Sequence, residues 1–447
     1  MDSNAILLNK WRYILINRYL NHNLFRQNVD DFLRKDPQLM SLAALKHQYQ
    51  DLWWQQLDMR EPGLYILTGG RQVGKSTSCK LLMAHCLRAK LLKPSQMFYL
   101  PCDEIYDAKE FSQILRLILA DDLLEPFLLI IDEVTYVKDW DRVIKALADE
   151  GAFQHGICLL TGSDNIILKD AAQRFPGRRG RANQFDFHMY PLSFPEFAHL
   201  VTPEASSNSQ KLSDLFNSYL QCGGYLKAIN EYAVSGKISE STYLTYEQWI
   251  RGDFLKQGKN EDTLLAVLRE LMIISVSPIS YTKLAQKIGV ISKETCMDYM
   301  RMLSRMDILL TLQAYDQNKK IGFPKKDRKF HIADPFIFRT ILHWLHREGS
   351  IRNSAQESHL VEACVASHCN RLGKIFYFKG QGEVDVILLR DEQTLAIEVK
   401  WAEQIRANDL KTLKQFHSAN ILTKHRHSGH IDGINNLPVY QFLMDLF

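Results

Sequence analysis

The chain has no Cys-x-x-Cys pair: Cys79, Cys86, Cys102, Cys158, Cys222, Cys296, Cys364 and Cys369 are scattered singly along 447 residues. That scatter excludes a zinc ribbon and a disulfide-stapled secreted scaffold, and it reads as free thiols in a reducing compartment. No apolar stretch reaches the ~20 residues that cross a bilayer, so no membrane partner is expected. Met1-Asp2-Ser3-Asn4 lacks the charged-then-apolar start of a secretion signal, and a cytoplasmic location is the expectation. Neither sign of charge is in large excess. A net charge of +4 is too small to argue for a nucleic-acid partner by itself, so any such case must rest on local clusters. What remains is a globular composition, with 46% hydrophobic and 24% charged residues, at a length that implies roughly two to four domains.

The most informative stretch begins at Leu64. An apolar run, Leu64-Tyr65-Ile66-Leu67, enters Thr68-Gly69-Gly70-Arg71-Gln72-Val73-Gly74-Lys75-Ser76-Thr77, and a helix-compatible segment from Ser78 to Ala89 follows. Strand, then Gly-x-x-x-x-Gly-Lys-Ser, then helix is the P-loop pattern in its required context. The glycines let successive backbone N–H groups turn toward a phosphate, and the helix N-terminus adds its positive dipole. Lys75 is expected to reach the β- and γ-phosphates of ATP, and the Ser76 hydroxyl to ligate Mg²⁺.

Phe127-Leu128-Leu129-Ile130-Ile131-Asp132-Glu133 is a continuous apolar run ending in two carboxylates. A strand buried on both faces of a parallel sheet reads this way, and ligands bind at the carboxyl ends of such strands. Asp132 is assigned to the Mg²⁺ shell and Glu133 to polarising the attacking water. The acidic pair favours hydrolysis over phosphoryl transfer to a small metabolite. Ile157 to Ser163 is a further buried strand, whose end offers Thr161, Ser163 and Asn165 as sensors of the γ-phosphate or as an ordinary turn. Arg174-Phe175-Pro176-Gly177-Arg178-Arg179-Gly180-Arg181 packs four arginines into one loop. Arg178, Arg179 and Arg181 are candidates for a finger into a neighbouring subunit of a homo-oligomer, for nucleic-acid contact, or for a solvated basic loop. Trp53 and Trp54, ahead of the P-loop strand, read as core or lid packing, with base stacking as the alternative.

These pieces recur in order with Pro191-Leu192-Ser193-Phe194-Pro195-Glu196-Phe197 and Cys222-Gly223-Gly224-Tyr225. Together they resemble the prokaryotic AAA-type ATPases that carry a C-terminal domain of unknown function. The resemblance implies an α/β multidomain chain: a P-loop AAA+-type ATPase core, a helical lid, a winged helix and a restriction-endonuclease-like C-terminal α/β domain. The expected boundaries are a helical segment at 1–52, the core at 53–200, the lid at 201–260, the winged helix at 261–335 and the nuclease-like domain at 336–447. Trp11, Ile14, Leu15, Tyr19 and Leu20 give the first segment its helical spacing.

Thr282 to Val290 and Ser292 to Leu303 have the outline of a helix-turn-helix, the first helix closing at Gly289 and the second capped by Ser292. A hairpin-like stretch with Lys319, Lys320, Lys325, Lys326, Arg328 and Lys329 follows, which reads as a basic wing for DNA or as a protein-binding spacer. The last domain runs α, three strands, α, strand, with Glu362 on the helix, Asp385 on the second strand and Glu398-x-Lys400 on the third. This order resembles the PD-(D/E)xK nuclease superfamily, although Val384 replaces the proline and Glu383 competes with Asp385. Period two puts Glu398 and Lys400 on one face of their strand. Asp385, Glu398 and Glu362 are the expected ligands of a metal, Mg²⁺, and Lys400 the group that orients or deprotonates water. The leading reading is therefore an ATP-hydrolysing switch acting on DNA. An ATP-gated protein-assembly module with an inactive nuclease-like fold is the alternative, and a small-molecule kinase ranks third.

Overall fold

The computed structural model describes residues 18–122, 124–162, 168, 175, 177–203, 209–274, 277–289, 291–347, 351, 353–380, 382–401, 405, 407–424 and 428–446. Trp11, Ile14, Leu15, Ser163, Asn165 and Arg174 lie outside the described residues. The chain forms two compact units that meet in sequence at Tyr190 and Pro191.

The first unit is built on a five-stranded parallel sheet. Its strands are β1 (Gly63–Gly69), β2 (Met97–Pro101), β3 (Phe127–Asp132), β4 (Gly156–Thr161) and β5 (Asp186–Met189), in the order β2-β3-β4-β1-β5. β1, β3 and β4 are buried along their whole length, as their unbroken apolar runs require. Alternate side chains feed two separate cores. Leu64, Ile66, Leu129, Ile131, Cys158 and Leu160 face α4 (Ala108–Leu117) and α5 (Trp140–Asp149). Tyr65, Leu67, Leu128, Ile130, Ile157 and Leu159 face α3 (Lys75–Arg88) and the N-terminal segment. Each fully buried large apolar side chain contributes ~1.5–3 kcal/mol, so the two faces together fix the sheet between its helix layers.

The N-terminal segment is helical in short pieces. α1 (Val29–Lys35) is capped by Asn28, and α2 (Pro37–Ala43) by Asp36 with Pro37 at its first position. Trp53 and Trp54 are buried, and the Trp53 indole N–H donates to Ser78 Oγ at 2.7 Å, so both are packing residues of this core.

The second unit opens with α6 (Phe194–Val201), whose Ser193 and Glu196 form a reciprocal capping box. Leu192 N donates to Gly224 O at 2.8 Å, and Tyr219 and Arg371 side chains donate to the Leu192 and Pro191 carbonyls. α7 (Ser209–Cys222), α8 (Leu226–Ser235) and α9 (Glu240–Lys256) follow, then α10 (Glu261–Ile274), α11 (Tyr281–Ile288) and α12 (Lys293–Arg305). Gly289 closes α11 in a left-handed conformation, and Ser292 caps α12 by accepting from Thr295 N.

β6 (Leu309–Asp316) and β7 (Ile321–Ile332) make the hairpin. α13 (Pro335–His346) and α14 (Ser354–Asn370) lead to β8 (Lys374–Lys379), β9 (Glu383–Arg390) and β10 (Gln393–Lys400). α15 (Ala407–Leu413), β11 (Ser418–Thr423), β12 (Gly429–Ile431), β13 (Ile434–Pro438) and α16 (Val439–Asp445) complete the chain. The hairpin is not a separate wing. β6 pairs in parallel with β8 through Gln313–Phe376 and Ala314–Tyr377, so one sheet runs β12-β13-β11-β10-β9-β8-β6-β7. No described helix is long and apolar enough to cross a membrane.

Candidate nucleotide site and a buried carboxylate cluster

The P-loop connects β1 to α3, so its backbone is anchored at both ends by buried elements. Gly74 sits at φ 101°, a left-handed conformation that costs glycine least, and this turn starts α3 at Lys75. Gln72 is also left-handed, at φ 63°. Gly69 and Gly70 are buried, Arg71 and Val73 half-buried and Gln72 exposed; Ser76 and Thr77 follow half-buried in the first turn of α3. Lys75 is 5% exposed and donates from Nζ to the carbonyls of Gly69 at 2.9 Å and Gly70 at 3.0 Å. Arg71 donates to the Tyr136 hydroxyl at 3.2 Å.

Asp132 ends β3 beside this loop and gathers three hydroxyls. Ser76 Oγ donates to its Oδ2 at 2.6 Å, Tyr99 OH donates to the same oxygen, and Thr161 Oγ1 donates to Oδ1. Thr161 also accepts from Glu133 N at 3.0 Å, so one side chain at the end of β4 ties both acidic residues. Glu133 has φ 53°, a left-handed value that costs a non-glycine residue ~1 kcal/mol or more and that marks strained functional positions. Its Oε1 lies 3.6 Å from Lys75 Nζ. Asp132 and Ser76 are hard oxygen donors of the kind magnesium takes, and they sit within 2.6 Å of each other, so the residues present fit a Mg²⁺ held with phosphate oxygens.

The arginine loop is mostly committed within its own unit. Arg179 donates to the Leu64 and Phe185 carbonyls and pairs through both η-nitrogens with Asp186, at 2.8 and 2.7 Å. Arg178 pairs with Asp149, and Arg181 is exposed. Thr161 is the described member of the three sensor candidates.

In the second unit the elements run α14, β8, β9, β10, α15 and β11; Glu362 and Asp385 meet on a shared partner, and Glu398 interacts electrostatically with Asp385. Asp385 Oδ2 accepts from Val399 N at 2.9 Å, and Lys400 Nζ lies 2.8 Å from Glu398 Oε1. The centre of the cluster is a lysine. Lys329, expected among the solvated basic residues of a wing, is fully buried, and its Nζ lies 3.0 Å from Glu362, 2.8 Å from Glu383 and 2.9 Å from Asp385. Burial alone lowers the Lys329 pKa, but Asp385, Glu362 and Glu383 outweigh it and hold the ammonium charged. Burial, then Asp385, pushes Glu362 up to about 8 and raises Glu398 well above the carboxylate range. Among the described residues no group of three or more His, Cys, Asp or Glu side chains is disposed to hold a metal ion. The ammonium stands where such an ion would meet these carboxylates, so the residues present do not fit a bound metal.

Sequence reasoning missed Lys329 and Tyr99. Tyr99 carried no local signal and Lys329 was one of several basic residues in a hairpin; each reaches its partners through a side chain that spans sheet positions distant in sequence.

Comparison with known proteins places an AAA domain at residues 61–198. Two domains of unknown function follow, DUF8612 at 213–348 and DUF4143 at 356–441. An uncharacterised protein of Haemophilus influenzae is 23% identical over 402 residues, 85% of this chain and 94% of that protein. An uncharacterised protein of Methanocaldococcus jannaschii is 25% identical over 395 residues, 79% of this chain and 78% of that one. Among solved structures, the Walker-type ATPase paby2304 of Pyrococcus abyssi is similar at 15% identity and a TM-score of 0.43, over 62% of this chain and 91% of its own. The Aeropyrum pernix ORC2 protein is similar at 11% identity and a TM-score of 0.38, over 67% of this chain and 88% of its own. The first unit thus carries an AAA-type, nucleotide-binding ATPase domain.

Proposed function

We propose that the protein is a magnesium-dependent, ATP-hydrolysing switch whose nucleotide state governs how the 191–447 unit engages DNA. The observation that carries it is the meeting of Lys75, Ser76, Asp132, Glu133 and Thr161 at the ends of β1, β3 and β4. Gly69 to Thr77 would cradle the phosphates with backbone N–H groups, and Lys75 would leave the loop carbonyls for the β- and γ-phosphate oxygens. Ser76 and Asp132 would hold Mg²⁺, which offsets phosphate charge when bound. Glu133 would accept the proton of the attacking water, and Thr161 would report loss of the γ-phosphate by its shared hold on Asp132 and Glu133. Among the described arginines of the loop Arg181 is exposed, and it would be the one to reach a neighbouring copy in a homo-oligomer. Steady-state ATP hydrolysis and equilibrium nucleotide binding test this reading. Lys75→Ala is expected to lose nucleotide binding, and Glu133→Gln to keep binding while turnover falls about a hundredfold or more. Unchanged turnover in both variants would sink it.

DNA engagement is supported by exposed Lys283, Lys287, Lys293, Arg301, Lys325 and Lys326 on α11, α12 and β7. A second reading is favoured by Lys329: the nuclease-like carboxylates are neutralised from within, and the unit binds DNA or a protein partner without cutting.

A further inference from the structure

The geometry points to Tyr99 as a positioning residue of the magnesium site, set by the N-terminal segment that precedes the AAA domain; this rests on Asp132 being the magnesium carboxylate. Tyr99 lies on β2, the edge strand of the first sheet, and its hydroxyl donates to Asp132 Oδ2, the oxygen that also receives Ser76. A carboxylate held by three hydroxyls keeps one rotamer, and a fixed oxygen is what a small cation with strict geometry demands.

Residues 18–43 reach Tyr99 from outside the sheet, both directly and through Lys80. The Asn23 side chain takes the place of a further strand: Nδ2 donates to Tyr99 O at 2.9 Å and Oδ1 accepts from Tyr99 N at 2.8 Å. The His22 ring stacks on the phenol at 6.0 Å with planes 14° apart. On the ring face, Lys80 Nζ sits 3.9 Å from the centroid. A cation there withdraws density from the phenol and strengthens its O–H as a donor. Lys80 is 1% exposed and is kept in place by the His22 carbonyl and by Asp36 Oδ2 at 3.4 Å. Asp36 is itself 2% exposed and fixed by capping α2 through Oδ1. The line Asp36, Lys80, Tyr99, Asp132 therefore runs from the N-terminal helices to the catalytic strand end. That segment lies before residue 61, where the AAA match begins.

The test uses the full chain and a non-hydrolysable ATP analogue, with binding followed as Mg²⁺ is raised. Tyr99→Phe is expected to need about tenfold more Mg²⁺ for half-maximal tightening, the scale of one hydrogen bond to a charged group, while Mg²⁺-free affinity stays within about twofold. Asp36→Asn keeps the Oδ1 cap but takes the buried carboxylate from Lys80, and it is expected to raise the Mg²⁺ requirement by more than about twofold. An unchanged or lowered Mg²⁺ requirement in Tyr99→Phe overturns the inference, as does an equal loss of Mg²⁺-free affinity, which is the mark of general damage. Should Tyr99→Phe fail to fold, Asp36→Asn decides on the same two criteria. Wild-type protein that binds the analogue with Mg²⁺ but never hydrolyses ATP would sink the switch reading and leave this inference to the binding data.

Discussion

His368 acts as a neutral acceptor. Its Nδ1 donates to Cys364 O at 2.7 Å and its Nε2 accepts from Phe194 N at 2.8 Å, at the start of α6. Burial, then Arg371, holds its pKa down at about 3, against 6.5 in the unfolded chain. With the folded value depressed, the stabilisation is complete above pH 6.5 and drains away as pH falls toward 3. At pH 4 this one residue should account for about 3 kcal/mol of lost stability. Denaturant midpoints of wild type and His368→Gln between pH 7 and 4 check it, with the variant expected to lose less; parallel curves would contradict the assignment. Residues differ in how openly the sequence declares them. Lys75, Ser76, Asp132 and Glu133 are legible because their chemistry is written in local spacing. His368, Tyr99 and Lys329 are not, because each acquires its role from a partner about 30 to 175 positions away.

Between α7 and α8 two glycines do different work. Gly223 has φ 60°, and a Cβ there would lie 2.2 Å from Asp334 Oδ1, the carboxylate that caps α13. Gly224 has an ordinary backbone, yet a Cβ would lie 2.1 Å from Leu192 O. A glycine pair by itself signals a helix end or a tight turn, but the crowding by Leu192 and by Asp334 is not legible there, since both neighbours arrive from other parts of the chain. Gly224→Ala is expected to destabilise the second unit by about 3 kcal/mol and leave nucleotide affinity unchanged. Thermal unfolding alongside nucleotide titration reads both, and a variant as stable as wild type would refute the packing argument. The same limit applies to β7. Its basic run looked like a solvated wing, and pattern could not reveal that Lys329 turns inward while Lys325 and Lys326 stay outside.

For the whole molecule, the six exposed basic residues on α11, α12 and β7 predict binding to duplex DNA that weakens steeply with salt. Replacing Lys325 and Lys326 by alanine is expected to reduce the slope of log affinity against log salt by about two. Supercoiled plasmid should remain uncut with Mg²⁺ or Mn²⁺, since Lys329 holds Glu362, Glu383 and Asp385. Nicking that vanishes in Lys400→Ala would overturn that expectation, and salt-insensitive capture of a protein without DNA affinity would favour the assembly reading. At this scale the P-loop sheet and the αβββαβ order were legible from apolar runs and strand-length spacing. The joining of hairpin and terminal strands was not, because the Gln313–Phe376 and Ala314–Tyr377 pairs bridge some sixty residues that include β7, α13 and α14.

That join bears on how such a protein can be taken apart. The hairpin and the strands after it share one continuous hydrogen-bonded ribbon, so a break at residue 335 would leave β8 with a raw edge and β6 with another. Exposed edges of that kind recruit other chains. A fragment that keeps only the hairpin, or only the terminal strands, is therefore expected to self-associate, whereas one that keeps both retains the β6–β8 pairing.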